Sequence, residues 1–198
     1  WFKEEITDLE QLRGLKMRFF GLGARVMQKI GVSTQLLAGG DIFPALEKGV
    51  IDATEFSMPA MDIKYGFYQI AKNNYFPGWH QQVSVSHLLI NMDKWNGLSD
   101  QNQALIEIGA GESLMYIYAE TEYVNPYAMV EMGEKYGVIT RRWRDDQIAV
   151  FEQAWADVVA EDSASDPLFK KVADSYFSFR KDYKKWGDAQ SLNATYLD

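Results

Sequence analysis

Between residues 15 and 56 the chain repeats one cadence: a short stretch with strand character, then glycine, then a helix-length amphipathic run. Leu15, Met17 and Phe19 alternate with Lys16, Arg18 and Phe20, and Gly21 and Gly23 end that strand. Ala24 to Ile30 has helical periodicity and stops at Gly31. Val32 to Leu36 is a second strand, Gly39-Gly40-Asp41 opens a helix that ends at Gly49, and Val50 to Phe56 is a third strand. Strands joined through single helices demand right-handed crossovers, so the fold class is α/β with a mostly parallel sheet. A short helix capped by Asp8 precedes the first strand and runs to Gly14.

Helical character resumes from Met58 to Phe67, and Tyr75-Phe76-Pro77-Gly78-Trp79 reads as a turn. The alternation of Val83, Val85, His87 and Leu89 then predicts a long strand. From Ser99 to Tyr136 the pattern is helical, with Pro126 and the Gly109–Gly111 weak point predicting a kink or a break. A short strand from Val138 to Arg142 is followed by helices over Asp145 to Ala160 and Asp166 to Trp186, the second capped by Asp166 with Pro167 in its first turn.

Composition narrows the function classes. With 20 Lys and Arg against 28 Asp and Glu the net charge is -8, a surface that repels phosphate backbones, so nucleic-acid binding is not expected. Cysteine is absent, which excludes disulfides, thiolate metal sites and cysteine nucleophiles. His80 and His87 are the only histidines, too few for a multi-histidine zinc site, and no Gly-x-Ser-x-Gly elbow accompanies them. His87, inside an alternating strand, reads as structural, and His80 beside Trp79 can reach a pocket. Gly21–Gly23 and Gly39–Gly40 match no phosphate-loop pattern and read as strand-to-helix turns. Any single aromatic ring reads more readily as core than as pocket lining.

Three segments carry candidate chemistry. Arg18 stands on a strand before a glycine turn and a helix, where open α/β sheets place ligands, and its guanidinium offers a planar fork for a carboxylate. An exposed arginine on an edge strand is the other reading of the same pattern. Glu55, in Thr54-Glu55-Phe56-Ser57, falls at the same sheet edge and can bind a cation, pair with Arg18, or be solvated. Trp79-His80-Gln81-Gln82 offers amide oxygens or, equally, exposed turn residues.

Three segments in this order and spacing, Leu12-Arg-Gly-Leu-Lys-Met-Arg18, the run from Leu36 through Gly39-Gly-Asp41 to Glu55, and Tyr75-Phe-Pro-Gly-Trp79, carry a resemblance. The chain resembles the solute-binding proteins of tripartite ATP-independent periplasmic (TRAP) transporters, a DctP-like family, and among them the branch that binds 2-oxo acids and lactate. The similarity runs from the first residues to the Asp166-Pro-Leu-Phe-Lys helix. It implies a two-lobed, periplasmic binding protein-like α/β fold of which this chain looks like the C-terminal portion. Residues 1–90 would then be mainly the ligand-binding lobe, 91–142 a long helix and strand reaching the other lobe and hinge, and 143–198 C-terminal helices with a possible role in dimerisation.

The function implied by the resemblance is that of a periplasmic, non-enzymatic receptor. It would bind a small carboxylate such as pyruvate or lactate and deliver it to the TRAP membrane subunits, as a homodimer. Arg18 would hold the carboxylate, with Phe56, Trp79 and Gln81 lining the pocket. A sodium or calcium ion bridging the ligand would sit on Glu55, Phe56, Gln81 and Gln82. The branch typically has Trp after the acid, where this chain has Phe56, and commonly an acidic ligand where Gln81 or Gln82 stands here. The competing class is a hydrolase or lyase using Glu55 and His80 as acid and base.

Overall fold

The computed structural model describes residues 1–191. Strand β1 (Lys16–Arg18) runs parallel to β2 (Ser33–Gln35) on one side and to β3 (Ala53–Thr54) on the other, giving the order β2-β1-β3. Helices α1 (Gly21–Lys29) and α2 (Gly39–Glu47) make the crossovers. The expected parallel βα architecture is therefore present, and β1 is its central strand. A second parallel pair, β4 (Asn73–Phe76) with β5 (Ile139–Arg142), joins it through Phe2, which bridges antiparallel to both Ala53 and Asn73.

Successive strand residues point to opposite faces, so the register sorts the sheet into two cores. Met17, Ala53 and Phe2 stand on one face and pack with Phe19, Trp143 and Phe151. On the other side Trp1 packs with Ile42, Leu46, Phe67 and Met132. Helix α6 (Asp145–Ser165) lies on α1, and α3 (Pro59–Tyr65) lies on the C-terminal half of α5 (Asp100–Tyr136). Helix α4 (Met92–Asn96) is a short turn before α5, and α7 (Pro167–Gln190) packs on α6. Asp166 caps α7 as the sequence implies, accepting from the backbone N–H groups of Leu168 and Phe169 at 2.8 and 3.1 Å.

Several expectations need correction. The alternating segment Val83–Leu89 forms no strand, and no described strand shares a ladder with it. His87 within it is exposed and makes no hydrogen bond among the described residues, so it is not a structural histidine. Helix α5 runs unbroken through Gly109, Gly111 and Pro126. The proline's ring leaves one carbonyl, that of Glu122, without its helical donor, but this residue is exposed and water can take the place. Asn125 further steadies the turn, donating to the Thr121 carbonyl at 2.8 Å and accepting from the Ala60 N–H at 2.9 Å. Tyr75 and Phe76, read as turn, are paired in β4, and the short helix after Asp8 is one 3-10 turn, Leu9–Leu12. The last seven residues of the 143–198 segment lie outside the described ones.

Candidate functional site

Arg18 ends the central strand, so its side chain emerges at the carboxyl edge of the sheet, flanked by the residues that follow β2 and β3. It is neither on an edge strand nor at the surface, being only 7% exposed. Its Nε donates to the Leu37 carbonyl at 3.2 Å, and Nη1 donates to the Glu55 carbonyl at 2.8 Å and to Glu55 Oε1 at 2.5 Å. Its guanidinium carbon lies 5.4 Å from the centroid of the Phe56 ring, within cation–π range. Nη2 makes no hydrogen bond among the described residues. The guanidinium is thus fixed along one side, with two N–H groups left to offer.

Phe56 keeps that place because Gly39 makes room for it. A Cβ at Gly39 would fall 2.8 Å from the Phe56 ring and 3.2 Å from the Tyr65 hydroxyl. Gly39, the first residue of α2, is therefore a packing device, whereas Gly40 has open space around it. Phe56 in turn meets Tyr65 and Phe67 edge-on, at centroid distances of 4.7 and 5.8 Å.

The Glu55 carboxylate accepts from two donors. Oε1 accepts from Arg18 and from the Phe20 N–H at 2.8 Å, while Oε2 lies 3.6 Å from His80 Nε2. The acid and the arginine, both mostly buried, form an ion pair, so Glu55 is not simply solvated. His80 Nδ1 is buried without a partner among the described residues. Gln81 Nε2 donates to Ser84 Oγ at 2.7 Å, and its side-chain oxygen accepts no hydrogen bond among the described residues.

A cavity of about 340 Å³ opens over this pair, lined by Arg18, Glu55, Phe56, His80 and Gln81 among others. Two expected site residues lie elsewhere: Gln82 is exposed outside this lining, and the Trp79 ring stacks on Phe151 at 4.9 Å in the core and lines a different, larger cleft. For a hard cation the fitting donors are the Glu55 carboxylate, the Phe56 carbonyl, which accepts no hydrogen bond among the described residues, and the Gln81 side-chain oxygen. No cluster of three or more His, Asp or Glu suited to a metal occurs among the described residues, so any ion here would lean on neutral oxygens and on its ligand.

Asp62 and Asn74 are among the cavity-wall residues that the sequence does not single out. Asp62, near the start of α3, accepts from Trp1 Nε1 at 2.6 Å and from the Ser57 N–H at 3.1 Å, and burial pushes its pKa from 3.8 up to about 6. Asn74 comes from β4, of which the sequence reads only Tyr75 and Phe76, and those as turn. A polar pair, Asn73-Asn74, before three aromatic or turn residues gives only a faint sign of a strand.

Comparison with known proteins bears on what this geometry is for. The chain is 31% identical over 193 residues to a monocarboxylate 2-oxoacid-binding periplasmic protein of Nostoc sp. (strain PCC 7120), covering 98% of this chain and 53% of that one. A TRAP transporter solute-binding protein from Bordetella bronchiseptica, a dimer with calcium and picolinate in its active site, superposes with a TM-score of 0.86 at 31% identity, over 96% of this chain and 56% of that one. One from Pseudoalteromonas atlantica, with sodium and pyruvate bound, gives 0.85 at 25% identity, over 96% and 58%. The chain therefore spans about half the length of the relatives it matches. No helix among the described residues is long and apolar enough to cross a membrane. The family model of the bacterial extracellular solute-binding proteins, family 7, matches residues 2–166, most of the chain, and this agrees with the three motifs and the parallel sheet: the chain belongs to that family.

Proposed function

We propose that the protein is the periplasmic receptor of a TRAP transporter, that it captures a small monocarboxylate, a 2-oxo acid such as pyruvate or the related lactate, and that it hands the acid to membrane subunits. The observation that carries this reading is Arg18, buried and held through Nε and Nη1 while Nη2 faces no partner among the described residues. A guanidinium immobilised on one side loses little further freedom when it binds, and each charge-assisted bond it makes contributes about 1.5–3 kcal/mol.

Glu55 sets the condition for binding. Its carboxylate already pairs with Arg18 and would repel an incoming anion. A sodium or calcium ion on Glu55 Oε2, the Phe56 carbonyl and the Gln81 side-chain oxygen would supply the positive charge that removes this repulsion. The relatives whose descriptions include sodium or calcium alongside a carboxylate support that reading. Phe56 closes the cavity floor and supports the guanidinium from below. The acid–base alternative has Glu55 and His80 at 3.6 Å but no nucleophile beside them, and the family binds solutes instead of transforming them.

Calorimetry of the protein expressed from its complete reading frame tests the proposal. Pyruvate or lactate should bind, more tightly with sodium or calcium present, and Arg18→Ala should weaken binding at least about tenfold, the loss of one charge-assisted bond. An Arg18→Ala variant that binds like the wild type removes the proposal.

Self-association is the finer part of this reading. Helix α7 has no buried residue and exposes Leu168, Val172, Phe179, Tyr183 and Trp186, more apolar surface than one copy covers. A second copy of the chain is the natural cover for it, and the dimeric Bordetella relative supports this. Light scattering at micromolar concentration should give twice the monomer mass, and a monomer there contradicts it.

A further inference from the structure

The inference deepens the carboxylate reading and rests on it. Phe2 lies opposite Ala53 on one side and Asn73 on the other, in antiparallel bridges. The next row is therefore Trp1, Thr54 and Asn74, and Trp1 and Thr54 exchange both backbone hydrogen bonds, at 2.9 and 3.0 Å. Thr54 is in turn the register partner of Arg18. Directly opposed residues share a face, so Arg18, Thr54, Trp1 and Asn74 form one row on the same face of the sheet. The outer two are three strand spacings apart, about 14 Å between Cα atoms. Arg18 extends beyond the end of β1 and meets the Glu55 carbonyl and carboxylate. Arg18 and Asn74 line the same cavity.

Asn73 and Asn74 differ in one telling respect. The Asn73 amide is used at both ends, donating to the Lys3 carbonyl at 3.1 Å and accepting from Arg141 Nε at 2.7 Å. The Asn74 side chain is just as enclosed, at 8% exposed, yet its amide makes no hydrogen bond among the described residues. The Asn74 amide is not sealed in the interior: the residue lines the cavity, where its amide stands open to a partner. A ligand in the cavity would supply the partner.

We propose that the Asn74 side-chain amide is a second anchor of this site, hydrogen-bonded to the oxo or hydroxyl oxygen of an acid whose carboxylate is held by Arg18. An amide carries both donor and acceptor, so it serves a ketone and an alcohol alike, while a plain alkanoate gives it nothing. Asn74 is in this way a specificity residue, favouring oxygen-bearing acids over unsubstituted ones of the same length.

Calorimetry with pyruvate, lactate and propionate, on the protein expressed from its complete reading frame, tests this. The wild type should bind pyruvate and lactate at least about tenfold more tightly than propionate. Asn74→Leu, close in shape, should lower that preference about tenfold and leave propionate binding unchanged. Asn74→Asp should weaken all three by setting an anion against them. The backbone ladder to Thr140 does not depend on the side chain, so the variants should fold, and Asn74→Ser replaces the leucine variant if circular dichroism shows otherwise. An unchanged preference in the leucine variant, or equal binding of pyruvate and propionate by the wild type, overturns the role of Asn74 and leaves Arg18 standing. If no acid binds at all, the carboxylate reading fails and Asn74 falls with it.

Discussion

The row Arg18–Thr54–Trp1–Asn74 and the segment Val83–Leu89 are opposite solutions to the same alternating pattern. In the row neighbouring strands are joined by ladder pairing, and a buried arginine is tolerated because Glu55, Leu37 and Phe56 surround it. The segment has equally apolar alternate positions, yet Val83, Val85 and Leu88 are all more than half exposed and Leu89 is 90% exposed. Alternation gives a strand its two faces, but a neighbour's N–H and C=O groups make it part of a sheet. A charge can therefore be more firmly built into this molecule than a run of valines and leucines.

The largest effect that would break this comparison is on stability. Arg18→Ala leaves Glu55 mostly buried without its cation and should lower unfolding free energy by about 3–5 kcal/mol. Leu89→Ser, at an exposed apolar position, should change it by less than about 0.5 kcal/mol. Chemical denaturation of the two variants checks both, and an equal loss in the two would erase the distinction.

A smaller effect sharpens it through pH. Asp62 has its pKa raised by burial, from 3.8 to about 6, with the Trp1 indole N–H and the Ser57 N–H acting in the opposite direction. The folded chain thus holds a proton here that the unfolded chain has lost between pH 4 and 6, and stability falls as pH rises through that window. The full difference amounts to about 3 kcal/mol, most of it developed by pH 6. Asp62→Asn should flatten this slope in denaturation curves taken from pH 4 to 7, and an unchanged slope would place its origin elsewhere.

Much of the architecture was legible because its signals are local. Glycine stops, the Asp166 cap with Pro167 and the alternation through Met17 each report on a few neighbouring residues, and each has its counterpart in the structure. The pairing of Arg18 with Glu55 was legible too, since both follow strands that end at one edge. What escaped depends on partners far away in sequence. Asn74 and Asp62 acquire meaning only when Phe2 and Trp1 are laid into the sheet beside them, and nothing near either residue announces that. Trp79 shows the converse: the family resemblance sets it in the pocket, but its half-buried ring stacks on Phe151 and lines another cleft. Pro126 reads as a break when propensity is weighed without the packing of α5 on α3, where Asn125 accepts from the Ala60 N–H.

The most direct measurement is a crystal structure of the protein expressed from its complete reading frame, grown with pyruvate and sodium or calcium. The account requires the carboxylate to lie within hydrogen-bond distance of Arg18 Nη2, on the same face of the sheet as Asn74. A pyruvate bound elsewhere, with Arg18 still engaged only by Glu55 and Leu37, would contradict it.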